Sequence, residues 1–139
     1  GNVSNKKITI LGFAFKANTN DIRESPAIKI CLDLLEEGAF LEIHDPKVNP
    51  SQIIQEFENF NFLYKEKFEI YNNLDYVFKK SNAVILLTEW EDYLNLDWQE
   101  ISKRMDSPAW VFDTRGIINQ QNVTRYGLNF WRVGFGNNN

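Results

Sequence analysis

Short apolar runs alternate with longer amphipathic stretches along this chain. Ile8-Thr9-Ile10-Leu11, bounded by Gly12 and rich in β-branched side chains, has the composition of a strand buried on both faces of a parallel sheet. A polar loop follows, and Ser25 then offers an N-cap hydroxyl with Pro26 at the first helical position. Ile28, Cys31, Leu32 and Leu35 share one face of the helix so started, which closes at Gly38. Phe40-Leu41-Glu42-Ile43-His44 reads as a second strand, broken at Asp45-Pro46, so that residues 6–44 form a βαβ unit.

The stretch 51–71 has no clean period and is read as a short helix near 52–57 followed by an irregular excursion. Leu74, Val77 and Phe78 have helical spacing ahead of Ala83-Val84-Ile85-Leu86-Leu87, the most apolar run and therefore a central strand. A helix over 98–105, a strand over 110–112 and a last strand over 129–133 at one edge complete the pattern. Strands alternating with helices at this spacing predict an α/β fold: a doubly wound, mainly parallel, Rossmann-like sheet flanked by helices. Ligands of such sheets lie outside the carboxyl ends of the strands. The polar clusters fall at those ends: residues 16–23, Asp45-Pro46-Lys47, Thr88-Glu89-Trp90, and Asp113-Thr114-Arg115.

The chain of 139 residues has the size of one domain, expected over 6–134, with 1–5 as a linker or appended remnant and 135–139 as a frayed tail. With 43% hydrophobic and 24% charged residues, the composition is that of a globular protein. A net charge of −4 argues against a nucleic-acid partner, which would need a clustered cationic surface. No run is long enough for a membrane span, and no signal peptide is evident. The single cysteine, Cys31, can form no internal disulfide. These features together lead us to expect a cytoplasmic location and no membrane partner.

The loop after the first strand lacks G-x-G-x-x-G, having only Gly12, so a dinucleotide site of its own is not expected. Lys16 and Arg23 are suited to hydrogen-bond a phosphate, and Asn18 and Asn20 a sugar or base; the alternative is a solvated loop that pairs its charges with Asp21 and Glu24. Arg115 follows a buried strand and faces the same crevice, its alternative being an ion pair with Asp113 or Asp45. His44 lies within a strand and is expected to be a packed, hydrogen-bonded histidine, and Cys31 a buried, inert thiol. Glu89 and Trp90 either line the pocket or pack. No metal cluster, nucleophile elbow or Walker loop occurs, so neither a metal site nor a catalytic residue is assigned in this chain.

The strings Ile10-Leu11-Gly12-Phe13-Ala14-Phe15-Lys16 and Asp21-Ile22-Arg23-Glu24-Ser25-Pro26 resemble the start of the C-terminal nucleotide-sugar-binding domain of the UDP-glucose/GDP-mannose dehydrogenase family. Asp45-Pro46-Lys47, Leu87-Thr88-Glu89-Trp90 with Leu96-Asp97, and Phe112-Asp113-Thr114-Arg115 recur in the same order, so the resemblance covers nearly the whole chain. The Thr-Glu-Trp string favours the UDP-glucose branch over the GDP-mannose branch. The rivals are a stand-alone nucleotide-binding or regulatory module and the equivalent domain acting on GDP-mannose or UDP-N-acetylmannosamine.

The resemblance implies an enzyme that oxidises a sugar C6 alcohol to a carboxylate with two NAD. The cofactor would be bound mainly by a domain absent from this chain, which alone would be inactive. It further implies UDP or UDP-glucose as ligand, the remaining domains of the same enzyme as partners, and a homo-oligomer in the intact enzyme. By the same resemblance Phe15, Lys16, Asp21 and Arg115 are substrate-binding, and Arg23 reaches the NAD phosphates across a domain cleft. Thr114 stands where the family commonly has glycine.

Overall fold

The computed structural model describes residues 3–60 and 65–133, so the expected tail at 135–139 and part of the excursion after 57 lie outside it. Six strands, β1 (Lys7–Leu11), β2 (Phe40–His44), β3 (Phe68–Tyr71), β4 (Ala83–Leu86), β5 (Trp110–Asp113) and β6 (Asn129–Arg132), form one sheet in the order β3-β2-β1-β4-β5-β6. Every pairing is parallel, as the apolar runs predicted for most of the sheet. The helices are α1 (Pro26–Glu36), α2 (Pro50–Asn59), α3 (Trp98–Arg104) and α4 (Gln120–Thr124).

Each helix starts where a short polar side chain can take an amide left over at the first turn. Ser25 accepts from Ala27 N, Asn49 from Ser51 N in a capping box closed by Gln52, Asp97 from Glu100 N, and Asn119 from Gln121 N. Pro26 and Pro50 occupy first-turn positions, where a missing N–H leaves no bond unmade. Phe57 of α2 meets Phe68 of β3 and Phe13 edge-on, with ring centroids 4.9 and 5.9 Å away. In α1, Ala27, Ile28, Cys31 and Leu35 are buried, while Leu32 is only partly so. Cys31 is fully buried, as expected, and burial pushes its thiol well up.

Two segments differ from the sequence pattern. The excursion after α2 contains the edge strand β3, whose four residues run from a buried Phe68 through an exposed Glu69 to half-buried Ile70 and Tyr71 and are too few to carry a period. Leu74, Val77 and Phe78 form no α-helix: a single 3-10 turn over Leu74–Tyr76 ends at Val77 in extended conformation, and Phe78 has φ 85°. Phe78 is nonetheless buried, with the Arg104 guanidinium 5.8 Å from its ring centroid, so core packing overrides local propensity there. The short α4 between β5 and β6 was not foreseen.

Candidate functional site at the switch point of the sheet

β1 has β2 on one side and β4 on the other, so the chain reverses its direction of travel across the sheet between β1 and β4. The registers place the strand ends His44, Leu11, Leu86 and Asp113 in one row. The loops that follow them are fastened together by buried polar groups.

Asp45 is the main fastening. Its Oδ2 accepts from Phe13 N at 2.8 Å, Ala14 N at 3.0 Å and Trp90 Nε1 at 3.1 Å, and its Oδ1 from Lys47 N at 2.8 Å and Val48 N at 2.9 Å. One carboxylate with no exposure thus joins the loops after β1, β2 and β4, and its burial is offset by charge-assisted bonds. Thr88 Oγ1 donates to Ala14 O at 2.9 Å, and Ser25 Oγ to Phe13 O at 2.8 Å. Asp113 does for the loop after β5 what Asp45 does for the others, accepting from the amides of Arg115, Gly116 and Ile118. Thr114 adds a hydroxyl bond to Leu86 O at 2.7 Å, a contact glycine has no side chain to make.

On this fixed base stand the exposed groups. Phe15 is 47% exposed although both preceding residues are buried, and Lys16 is exposed with no ion pair among the described residues. Arg115 Nε lies 3.1 Å from Glu89 Oε1. The expected alternative partners of Arg115, Asp113 and Asp45, are taken up by backbone amides instead, so its ion pair is with Glu89.

Asp21 and Arg23 are drawn away from this group. Arg23 donates from Nε and Nη2 to the two oxygens of Asp21 at 3.1 and 3.0 Å, a fork in which Arg23 holds the Asp21 carboxyl below its usual range. The pair lines an open groove of about 740 Å³ beside α2, with Ser51, Gln52, Gln55 and Glu56 opposite. It is tied to the first group through the backbone, where Phe15 N donates to Asp21 O at 2.8 Å.

The model of the UDP-glucose/GDP-mannose dehydrogenase family, UDP binding domain, matches residues 9–120. The chain belongs to this family. It is 39% identical over 137 residues to the UDP-glucose 6-dehydrogenase of Drosophila melanogaster, covering 95% of this chain and 29% of that protein. It is 37% identical to UDP-glucose 6-dehydrogenase 2 of Arabidopsis thaliana, again over 95% of this chain and 30% of the relative. The chain therefore spans just under a third of the length of these relatives.

The same fold occurs in an NDP-N-acetyl-D-galactosaminuronic acid dehydrogenase from Methanosarcina mazei Go1, with a TM-score of 0.77 at 23% identity over 94% of this chain and 25% of that one. A UDP-glucose dehydrogenase from Pyrobaculum islandicum gives 0.64 at 24% identity, over 93% of this chain and 25% of that one.

Within the UDP binding domain, sequence reasoning located the loops but did not give Asp45 and Asp113 as the residues that fasten them. Asp45 was visible as an Asp-Pro pair at a strand end, a pattern that equally signals a turn. Asp113 was considered only as an ion-pair partner for Arg115, whereas Glu89 was already a candidate to line the pocket. Among the described residues, no group of three or more His, Cys, Asp or Glu side chains is arranged to hold a metal ion, and no helix is long and apolar enough to cross a membrane.

Proposed function

We propose that this domain holds the UDP portion of a nucleotide sugar along the carboxyl ends of β1, β4 and β5, as one part of a larger NAD-dependent dehydrogenase that oxidises UDP-glucose to UDP-glucuronate. The observation that carries this reading is the fastening of the strand-end loops in a chain of this family: Asp45 joins the loop that bears Phe15 and Lys16 to those after β2 and β4, and Asp113 holds the loop that bears Arg115. Phe15 supplies an exposed ring for stacking on a base, Lys16 a cation with no ion pair among the described residues for the diphosphate, and Arg115 a guanidinium for the sugar.

The residues after β1 do not fit an NAD pyrophosphate. Gly12 turns the chain with φ +95°, and the space beside it is filled by Thr88, whose Cβ would stand 2.4 Å from an added Cβ. The first turn of α1 offers little to a phosphate, because Ser25 Oγ takes the Ala27 amide and Pro26 has none. NAD therefore belongs to another part of the enzyme, where the oxidation takes place. Arg23 is the group that reaches toward it from this domain, with Asp21 holding the guanidinium until a phosphate replaces the carboxylate. Arg23 is exposed and Asp21 half-exposed, and such a surface pair is weak enough to exchange. Asp21 contacts the substrate only once released. In the intact enzyme the domain acts beside its partner domains and within a homo-oligomer.

Titration of the domain with UDP, UDP-glucose, GDP and NAD tests the reading. UDP and UDP-glucose are expected to bind, more weakly than to a complete enzyme, with GDP weaker and NAD weaker still. Submicromolar NAD binding with none for UDP overturns it.

A further inference from the structure

The geometry points to Glu89 as a substrate-reading residue in its own right: we propose that Glu89 and Arg115 together form a donor–acceptor pair for hydroxyl groups of the sugar, leaving the diphosphate to Lys16. This rests on the placement of the nucleotide argued above. Glu89 sits between two anchored residues, Thr88, which donates to Ala14 O, and Trp90, which donates to Asp45. Its Oε1 is sealed from solvent, has no hydrogen-bond partner and lies 3.1 Å from Arg115 Nε, yet the side chain as a whole remains 34% exposed. One oxygen therefore faces the guanidinium, and the other is left as the acceptor offered to the crevice. Arg115 is fixed from the other side by Asp113, which accepts its amide, and its side chain is 40% exposed.

The charge of the pair decides what it recognises. A guanidinium beside a carboxylate sums to no formal charge, so it draws a diphosphate far less than a free cation does. A hydroxyl accepts from one group and donates to another, which is what an arginine with its Nη atoms free and a carboxylate with one oxygen free provide together. Neighbouring hydroxyls of a hexose fit such a pair. Lys16, without a partner among the described residues, retains its full attraction for the phosphates.

The test is an NMR titration of the 139-residue chain with UDP and with UDP-glucose, carried to millimolar ligand and reading backbone amides and the Arg115 Nε–H. The parent is compared with Glu89→Ala, Glu89→Gln and Lys16→Ala. Glu89→Ala is expected to weaken UDP-glucose about tenfold while leaving UDP as tight as in the parent or tighter, the lower end of the range for a hydrogen bond to a charged group. Glu89→Gln, which keeps an acceptor without the charge, should lose less. Lys16→Ala should weaken both ligands equally. If Glu89→Ala weakens both ligands alike, or tightens both, the pair does not read hydroxyls and the inference fails while the nucleotide placement stands. If the parent binds neither ligand, or if Lys16→Ala changes nothing, the placement itself fails.

Discussion

The Asp45 carboxylate and the Trp90 indole are joined by a hydrogen bond of 3.1 Å, and neither has appreciable contact with water. The bond spans the switch point, because Asp45 follows β2 and Trp90 follows β4 with β1 between them. Trp90 therefore carries more than packing area: its N–H is one of five donors that make a buried charge tolerable.

Asp45→Asn is the sharpest probe of that junction. An amide keeps one acceptor oxygen but turns an NH2 toward donors, so at least one set of bonds, either to Phe13, Ala14 and Trp90 or to Lys47 and Val48, is replaced by opposed N–H groups. Hydrogen bonds to a charged group contribute about 1.5 to 3 kcal/mol each, so a loss of roughly 3 kcal/mol or more in unfolding free energy is expected. Denaturant unfolding reads it directly. A variant within 1 kcal/mol of the parent, on the order of a surface change, means that the carboxylate does not bind the loops together.

Gly12→Ala addresses the same junction from β1. The φ of +95° is strained for any residue with a Cβ, and the added atom would stand 2.4 Å from Thr88 Cβ and 2.8 Å from its backbone nitrogen. Left-handed strain costs about 1 to 3 kcal/mol and overpacking about as much again. Thr88 cannot retreat without breaking its bond to Ala14 O. Thermal unfolding should show a fall of many degrees or no folded protein, whereas Gly127→Ala, with open space around it and a similar φ, should lose only the strain.

His44 makes stability depend on pH. Its Nε2 faces Asn72 O at 3.2 Å, and since a carbonyl only accepts, Nε2 carries the proton and Nδ1 accepts from the Tyr93 hydroxyl at 2.8 Å. The ring is neutral, and burial pushes its pKa below the ordinary value of 6.5, against the smaller opposing effects of the Asn72 carbonyl, Asp45 and Asp92. The unfolded chain then binds a proton below about pH 6.5 that the folded one resists, so stability falls with pH from that point down to the folded-state pKa. The slope from this residue cannot exceed about 1.4 kcal/mol per pH unit. Urea unfolding of the parent and of His44→Gln between pH 7.5 and 5 should give a shallower dependence in the variant; identical slopes rule the explanation out.

The parallel sheet was readable because its buried strands are near-continuous apolar runs and its first helix opens on a Ser-Pro pair; the Asn-Pro pair that opens α2 went unused, and that helix was placed near 52–57 rather than over Pro50–Asn59. β3 was not, since an edge strand of four residues with one exposed glutamate differs little from a loop. The site was legible as a set of loops at strand ends, and the family motifs named the exposed residues on them. Their pairings were hidden, because a lone aspartate or glutamate does not reveal which distant amide or guanidinium it will meet. Arg115 lies 26 positions from Glu89 in sequence, and the alternative partners weighed for it were Asp113 and Asp45.

Lys16 and Arg23 carry the same charge on the same loop, yet they should respond differently to removal. Arg23 is already forked onto Asp21, and on the proposed reading it serves a cofactor bound outside this domain, so Arg23→Ala should leave UDP affinity unchanged. Lys16 has no such partner among the described residues, and on the proposed reading its ammonium acts as a point charge on the diphosphate. Losing one charge-assisted contact of about 1.5 to 3 kcal/mol should weaken UDP roughly tenfold to a hundredfold. The contact is exposed, so raising the salt from about 0.01 M to 0.15 M, which shortens the screening length from about 30 to 8 Å, should weaken the parent more than Lys16→Ala. The two affinities should converge at high salt. Titrations of UDP at both salt concentrations, with melting temperatures checked, read all of this. Should Arg23→Ala lose UDP while Lys16→Ala keeps it, the diphosphate lies in the groove beside α2 and not at the switch point.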